Sequence, residues 1–345
     1  MRLAAVAGLA ALGLGACGDA TNVAAGEESA AGSSSAAGAA ETPGTSGTEG
    51  ELLLRVDVGG GFVPIEANLT HLPMLSVYDD GLVLQPAPMI MIYPGPALPA
   101  LNASELEDEG LERLQAAVEA SGLAAEPPDY GQPPIADAAN TMVTITVDGT
   151  TYEHVANALR EPGEPPWPGL TEEQQAAREQ LAEFVAQASD LGALVGEGNL
   201  GEQQPWEPER YRLWAQPASD ILPGTPAQPA PGPTTTTSSP AGGPAAGPAD
   251  VTGPDASVSS PAQPPPTGDA AAPTEPKPRL WTWPIDAIDL ATVGNCLAVE
   301  GGVADEVGAL FAQADQLTRF EDDGVAYTVI VRPLLPDEPD CPERG

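Results

Sequence analysis

Three cysteines are the residues of this chain whose type and position indicate specific chemistry. Cys17 ends a short apolar run at the N-terminus, whereas Cys296 and Cys341 lie in the last fifty residues. The run Leu14-Gly15-Ala16-Cys17 fits the lipobox pattern, in which an aliphatic residue and two small residues precede a cysteine. Small residues let a signal peptidase reach the backbone, and the thiol is the nucleophile that accepts a diacylglyceryl group. We therefore expect cleavage between Ala16 and Cys17, followed by lipid on Cys17.

The residues before Cys17 have the composition of a secretory signal peptide. Met1-Arg2 supplies the positive start, and the apolar stretch 3–14 is too short for a membrane-spanning helix, which needs about 20 residues. The sequence thus predicts a signal peptide over 1–16 and a protein anchored by lipid on the extracytoplasmic face of the cell membrane. For an exported chain, the remaining thiols of Cys296 and Cys341 are expected to form a disulfide.

The other residues whose side chains could take part in catalysis or bind a metal do not form a known catalytic pattern. The histidines are His71 and His154, and neither has the spacing of a zinc site or of a nucleophile and its base. The sequence contains no nucleophile-elbow and no phosphate-loop motif. Acidic runs at 79–80 and 321–323 lie in predicted turns without calcium-loop spacing. We expect no catalytic residues, no metal ion and no cofactor.

Charge and aromatic content narrow the class of partner. The chain has 50 Asp and Glu against 12 Lys and Arg, for a formal net charge of −38. Such a surface repels nucleic acid and anionic lipid head groups, so we expect no nucleic-acid partner and membrane contact through the lipid on Cys17 alone. Five tryptophans form either an exposed surface for sugars or proteins, or part of an ordinary core.

Changes in composition divide the chain into segments. Residues 17–50 are rich in Ala, Gly, Ser, Thr and Glu and predict a flexible tether behind the lipidated cysteine. Residues 51–216 carry regular apolar patterns and predict a folded domain. Residues 217–279 are dominated by Pro, Ala, Gly, Thr and Ser and predict a disordered linker. Residues 280–345 predict a small α+β segment closed by the disulfide, either independent or packed on the first domain.

Apolar periodicity predicts an α+β fold, with antiparallel hairpins packed against about three helices. Alternation over 52–58 predicts a strand, and Asp-Gly turns at 80–81, 148–149 and 323–324 predict hairpins. A first helix is expected to begin at Asn102 or Ser104 and to stop at Gly122. A capping box formed by Thr171 and Gln174 predicts a second helix that runs to about residue 191. A third helical stripe covers 303–317.

Several short motifs resemble those of a group of actinobacterial lipoproteins that have no assigned activity. The resemblance covers residues 52–217 and 283–341, and it implies export, lipidation and an α+β body. It implies no catalytic residues. The motifs that carry it are Phe62-Val-Pro64, Leu72-Pro73, Val77-Tyr-Asp-Asp-Gly81, Tyr93-Pro-Gly-Pro-Ala-Leu98, Gly110-Leu111 and Arg332-Pro-Leu-Leu-Pro-Asp337.

Three functions are compatible with these features. The predicted anchor, the tether and the absence of a recognised set of catalytic residues favour one of them. This is an envelope protein that binds another protein or a cell-wall component without catalysis. An envelope hydrolase would instead use Asp and Glu carboxylates in a cleft between the two ordered parts, roughly 5–10 Å apart. A structural spacer on the cell surface is the third interpretation.

Overall fold

The computed structural model describes residues 50–89, 92–222, 224–232 and 276–341. The predicted signal peptide and the predicted cleavage and lipidation site at Ala16 and Cys17 lie outside these residues. Almost all of the tether and the centre of the linker also lie outside them. The described part contains two sheets and six α-helices, which confirms the predicted α+β class.

The first sheet has seven strands in the order β6-β5-β1-β2-β3-β4-β7, and every neighbouring pair is antiparallel. Its inner face is apolar because side chains alternate along each strand, so Leu54, Val56, Val143 and Ile145 are all buried on one side. The strands are β1 (Leu52–Gly59), β2 (Leu75–Tyr78), β3 (Leu82–Pro86), β4 (Leu101–Glu105), β5 (Asn140–Val147), β6 (Thr150–Asn157) and β7 (Gln204–Pro205).

The second sheet has six strands in the order β11-β8-β13-β12-β10-β9, with antiparallel and parallel pairs. Its core contains the indole and phenyl rings of Trp281, Trp283, Phe311 and Phe320, which meet edge to face or tilted. The strands are β8 (Arg210–Pro217), β9 (Gln228–Pro229), β10 (Arg279–Thr282), β11 (Leu297–Glu300), β12 (Thr318–Asp322) and β13 (Val325–Pro333).

Six helices accompany the sheets: α1 (Ile65–Leu69), α2 (Asp108–Ser121), α3 (Glu172–Ser189), α4 (Leu191–Val195), α5 (Leu290–Val293) and α6 (Gly301–Phe311). The apolar stripes of α2 and α3 cover the inner face of the first sheet, and α6 packs on the second. No helix in the described part is long and apolar enough to cross a membrane.

The predicted start of the first long helix is wrong. Asn102 and Ser104 belong to β4, where they pair with Gln85 and Val83 of β3. The backbone of this segment finds partners in a neighbouring strand, so the helix begins only at Asp108, with acidic residues in its first turn. Its predicted end is confirmed, because Gly122 adopts the left-handed conformation with φ of 71°.

The capping box of α3 is confirmed. The Thr171 hydroxyl accepts a hydrogen bond from the Gln174 N–H at 3.2 Å, and the Gln174 side chain accepts one from the Thr171 N–H at 2.9 Å. The helix ends at Ser189, and Asp190 then caps the short helix α4. Leu181 and Phe184 bury the inner face of α3 against the first sheet.

Strand pairing joins the two segments that are separated in the sequence by the predicted linker. β8 lies in the segment 51–216 apart from its last residue, yet its neighbours β11 and β13 come from 280–345. The described residues from 50 onward cluster as one compact unit. The ordered chain also continues beyond residue 217, where the sequence places the start of the linker. Asp220 receives three hydrogen bonds from Arg319, and β9 pairs with β10.

The end of the described chain is fixed by a disulfide and by arginines. Cys296 and Cys341, the two thiols that the sequence pairs, are bonded to each other across 45 positions. Arg210 donates hydrogen bonds to three backbone carbonyls of residues 335–338, and Arg332 forms a two-pronged ion pair with Glu338. These contacts hold the segment after β13 against the body.

Candidate functional site

Exposed apolar side chains gather at one end of the first sheet. Of the twelve large apolar residues exposed in the described part, nine come from residues 58–74, 89–93 and 135 at this end, and the other three are Val155, Leu222 and Val325. The most exposed member is Phe62, at 89% of its full accessible area. We call this surface the apolar rim, and its members are Val58, Phe62, Val63, Ile65, Met74, Met89, Ile92, Tyr93 and Ile135.

The antiparallel topology brings these separate segments together. Gly59, the last residue of β1, lies opposite Asn140, the first residue of β5. Pro86, the last residue of β3, lies opposite Leu101, the first of β4. The β1–β2 connection, the β3–β4 connection and the segment that enters β5 therefore all emerge at the same end of the sheet. Gly50, which precedes β1, lies at the opposite end.

The β1–β2 connection holds its backbone in place while its apolar side chains face solvent. Gly60 and Gly61 adopt φ of 79° and 78°, which turns the chain sharply after β1. The Phe62 N–H then donates to the Asp137 carbonyl at 3.2 Å, which ties this connection to the segment before β5. Helix α1 follows, and none of its residues is buried in the described structure. Phe62 and Ile65 are thus presented on a fixed backbone.

The β3–β4 connection is also anchored. The Gly95 N–H donates to the Gln316 side chain at 3.2 Å, and the Gln316 N–H donates to the Gly95 carbonyl at 3.0 Å. The Ala97 N–H donates to the Ala314 carbonyl at 3.1 Å. These bonds attach the connection to the segment after α6, whereas the Tyr93 ring beside them stays 70% exposed.

The charge around the apolar rim is acidic. Residues 57–74, 86–100 and 133–139 contain no Lys and no Arg. They contain Asp57, Glu66 and Asp137, of which Asp57 forms an ion pair with His71. That hydrogen bond raises the pKa of His71, although burial lowers it and the Arg332 charge opposes it. The rim therefore offers apolar contact area with negative charge at its border.

An ion-pair network lies behind the rim, where the first sheet meets the chain end. The Asp337 carboxylate accepts hydrogen bonds from Arg55 Nη2 and from Tyr78 Oη, both at 2.7 Å. Arg55 also donates to Ser76 at 3.0 Å, and Arg332 donates to the His71 carbonyl at 2.6 Å. Residues 77–81 and 332–337, which are far apart in the sequence, meet in this network. Its carboxylates are committed to structural ion pairs.

The other residues that the sequence offers as candidates for a site do not come together in the structure. His154 is buried, with one ring nitrogen 2.7 Å from the Tyr130 hydroxyl and the other 2.7 Å from the Leu123 carbonyl. The acidic runs at 79–80 and 321–323 accept backbone hydrogen bonds from nearby turns and from α5. Trp281 and Trp283 are core residues, and the other three tryptophans are partly buried. Across the described ranges, no three His, Cys, Asp or Glu side chains cluster as a metal site would require.

The apolar rim is not predicted by the sequence patterns. Its residues come from three segments that are separated by 14 or more positions, and none of them has a regular apolar period. The available signal is the frequency of large apolar residues in segments rich in Gly and Pro, where turns are expected to be polar.

Comparison with known proteins gives no match at any of three levels. No protein-family model, no curated protein and no solved structure matches this chain. The function of the rim is therefore inferred from its own residues.

Proposed function

We propose that this protein is a lipid-anchored envelope protein that binds another protein through the apolar rim. The observation that carries the proposal is the concentration of nine of twelve exposed apolar side chains at one end of the first sheet. Gathered exposed apolar area on a folded protein is typical of interaction surfaces. Phe62, Tyr93, Met74 and Met89 are of the aromatic and methionine types enriched in protein interfaces.

The charge of the rim indicates the chemistry of its partner. A second copy of this chain would bring a net charge of −38 against a border that carries Glu66 and Asp137. An anionic membrane surface would be repelled in the same way. The complementary partner is a protein with an apolar contact area that is bordered by Lys or Arg, because opposite charges steer association and suppress wrong partners.

The proposed anchor places the rim away from the membrane-attached end. The lipobox ends at Cys17, and the tether enters the body at Gly50, opposite the rim. The eight residues of β1 separate these two ends by about 27 Å. A tether with the composition of residues 17–50 has a root-mean-square span of about 30 Å. A lipid on Cys17 would thus present the rim toward partners in the envelope.

Two features favour binding over the alternative functions. At the junction between the sheets, ion pairs join Asp337 to Arg55 and Glu338 to Arg332. A third ion pair joins Asp57 to His71. A glycoside hydrolase with its site at this junction would instead need a carboxylate pair that is open to the substrate. A spacer has no need for exposed aromatic side chains, whereas a binding surface uses them as anchors.

The binding proposal is tested by removing apolar area from the rim. Phe62→Ser with Ile65→Ser is compared with Leu222→Ser, because Leu222 is 79% exposed and lies outside the rim. Intact cells are cross-linked chemically, and captured proteins are quantified by mass spectrometry. We expect one protein to be captured equally by the wild type and by Leu222→Ser, and at least tenfold less by the rim variant. Equal capture by all three chains, or no specific capture by the wild type, would overturn the proposal.

The anchor proposal has its own test. Wild-type protein is expected to incorporate labelled fatty acid and to partition into the detergent phase, and Cys17→Ser is expected to do neither. Cys296→Ser serves as the control, because it removes a thiol that is not in the lipobox. Fatty-acid labelling of Cys17→Ser at the wild-type level would contradict the anchor.

A further inference from the structure

A cavity of about 490 Å³ lies between α3 and the connection from β6 to α3. Its floor is one face of α3, since the helical residues that line it recur at spacings of three and four positions. These residues are Glu172, Gln175, Ala176, Arg178, Glu179 and Ala182. The two alanines leave the space open. The volume is in the range of small-molecule sites, which are about 300–1,000 Å³.

The opposite wall of the cavity is held rigidly by its own contacts. The Trp167 indole N–H donates to the Ala158 carbonyl at 2.9 Å, and the Gln175 side chain donates to the Trp167 carbonyl. The Arg160 guanidinium lies 3.6 Å from the centre of the Trp167 ring. Three prolines, at positions 162, 165 and 166, stiffen the same wall. The cavity therefore exists before any ligand binds.

The positive charges of the cavity are already engaged by the protein. Arg178 is 4% exposed and donates to three backbone carbonyls, those of Tyr130 at 3.2 Å, Asn157 at 2.6 Å and Ala158 at 2.7 Å. Arg160 donates to the Pro165 carbonyl while it stacks on Trp167. Neither guanidinium forms an ion pair with a carboxylate in the described part of the chain.

The negative charges of the cavity are not engaged. Its lining includes four solvent-exposed glutamates, which form no ion pair and no side-chain hydrogen bond with any residue that the structure describes. They are Glu161, Glu164, Glu172 and Glu179. Four carboxylates against two guanidinium groups leave the lining net negative, beside an aromatic and proline-rich wall. A ligand that complements it carries positive charge and has an apolar body.

We propose that this cavity binds an organic cation, a molecule with primary amine or guanidinium groups on an apolar chain. The amines would meet Glu172 and Glu179 on the helix, and the chain would lie along Trp167 and the prolines. Glu172 and Glu179 are seven positions apart on one helix face, about 10 Å along the axis, which matches an extended molecule with more than one amine. This site is independent of the apolar rim and of its partner.

The test is calorimetric titration of the full-length chain in detergent with spermidine, a linear triamine. Glu172→Gln with Glu179→Gln removes two carboxylates from the cavity. Glu173→Gln with Glu183→Gln is the matched control, because it removes two exposed carboxylates from the same helix outside the lining. We expect one binding site in the wild type, wild-type affinity in the control, and at least tenfold weaker binding in the cavity variant.

Several outcomes would overturn the proposal. Equal weakening in both variants would mean that spermidine is attracted only by the acidic surface as a whole. No saturable binding of spermidine by the wild type would exclude the site. Binding of calcium ion, citrate or a neutral disaccharide that is lost in the cavity variant, with spermidine unaffected, would assign the cavity to another class of ligand.

Discussion

Arg55 of β1 and Asp337 of the C-terminal segment, 282 positions apart in the chain, form an ion pair with an N–O distance of 2.7 Å. The Tyr78 hydroxyl donates to the same carboxylate oxygen, also at 2.7 Å. The pair joins the centre of the first sheet to the last described residues, which continue from β13 of the second sheet. Because both charges are largely shielded from water, each depends on its partner for compensation.

We therefore expect Asp337→Asn to destabilise the fold by about 2 kcal/mol, since it removes a charged acceptor and leaves Arg55 uncompensated. Urea unfolding followed by tryptophan fluorescence measures the change. Asp286→Asn is the control, because Asp286 is exposed. A free energy of unfolding equal to that of the control would show that the ion pair does not contribute to stability.

The same ion pair predicts the response of stability to acid. Burial acts to raise the pKa of Asp337, but the hydrogen bond and charge of Arg55, with the Tyr78 hydroxyl, outweigh it and lower the pKa. The stabilisation is complete above the unfolded value, about 3.9, and is lost as the pH falls through the lower folded value. Urea midpoints between pH 2 and 7 should fall more steeply in acid for the wild type than for Asp337→Asn. Parallel curves would refute this assignment.

His71 predicts a pH dependence of the opposite sign. Its hydrogen bond with Asp57 raises its pKa, so its contribution to stability is complete below the unfolded value, about 6.5, and is lost as the pH rises through the folded value. Asp57→Asn should lower the pKa of His71, because burial and the Arg332 charge then act without opposition. Titration of the imidazole signals by NMR measures this shift, and the chain has only two histidines to assign. An unchanged His71 titration in Asp57→Asn would contradict the expectation.

Removal of the disulfide should weaken the fold without abolishing it. Cys296→Ser with Cys341→Ser opens a loop of 45 positions, for which we expect a loss of about 2–4 kcal/mol. The hydrogen bonds from Arg210 and Arg212 to the carbonyls of residues 335–340 remain to hold the segment. Urea unfolding and near-ultraviolet circular dichroism test both parts. Loss of the native spectrum at neutral pH would show that the arginines are insufficient.

Local chemistry explains what the sequence predicts well. Gly122 ends α2 because the left-handed conformation costs it little, and Thr171 with Gln174 starts α3 by satisfying free backbone donors. The hairpin across Asp148-Gly149 follows from two consecutive residues with positive φ. Each of these signals is contained within a few residues, so a single sequence carries it.

Long-range pairing explains what the sequence predicts poorly. Asn102 and Ser104 have the residue types of a helix start, but β3 provides backbone partners that turn them into a strand. The pairing of β8 with β13 is set by strands more than a hundred positions apart, which no local pattern encodes. The apolar rim is of the same kind, because it exists only after the topology brings three connections to one end of the sheet.

Site-specific photo-cross-linking in living cells tests the central claim most directly. A benzoylphenylalanine residue replaces Phe62 in one chain and Leu222 in another, both with Cys17 intact, and the cross-linked products are identified by mass spectrometry. The account predicts that position 62 captures one envelope protein and that position 222 does not. The same products from both positions, or lipid as the only product from position 62, would contradict it.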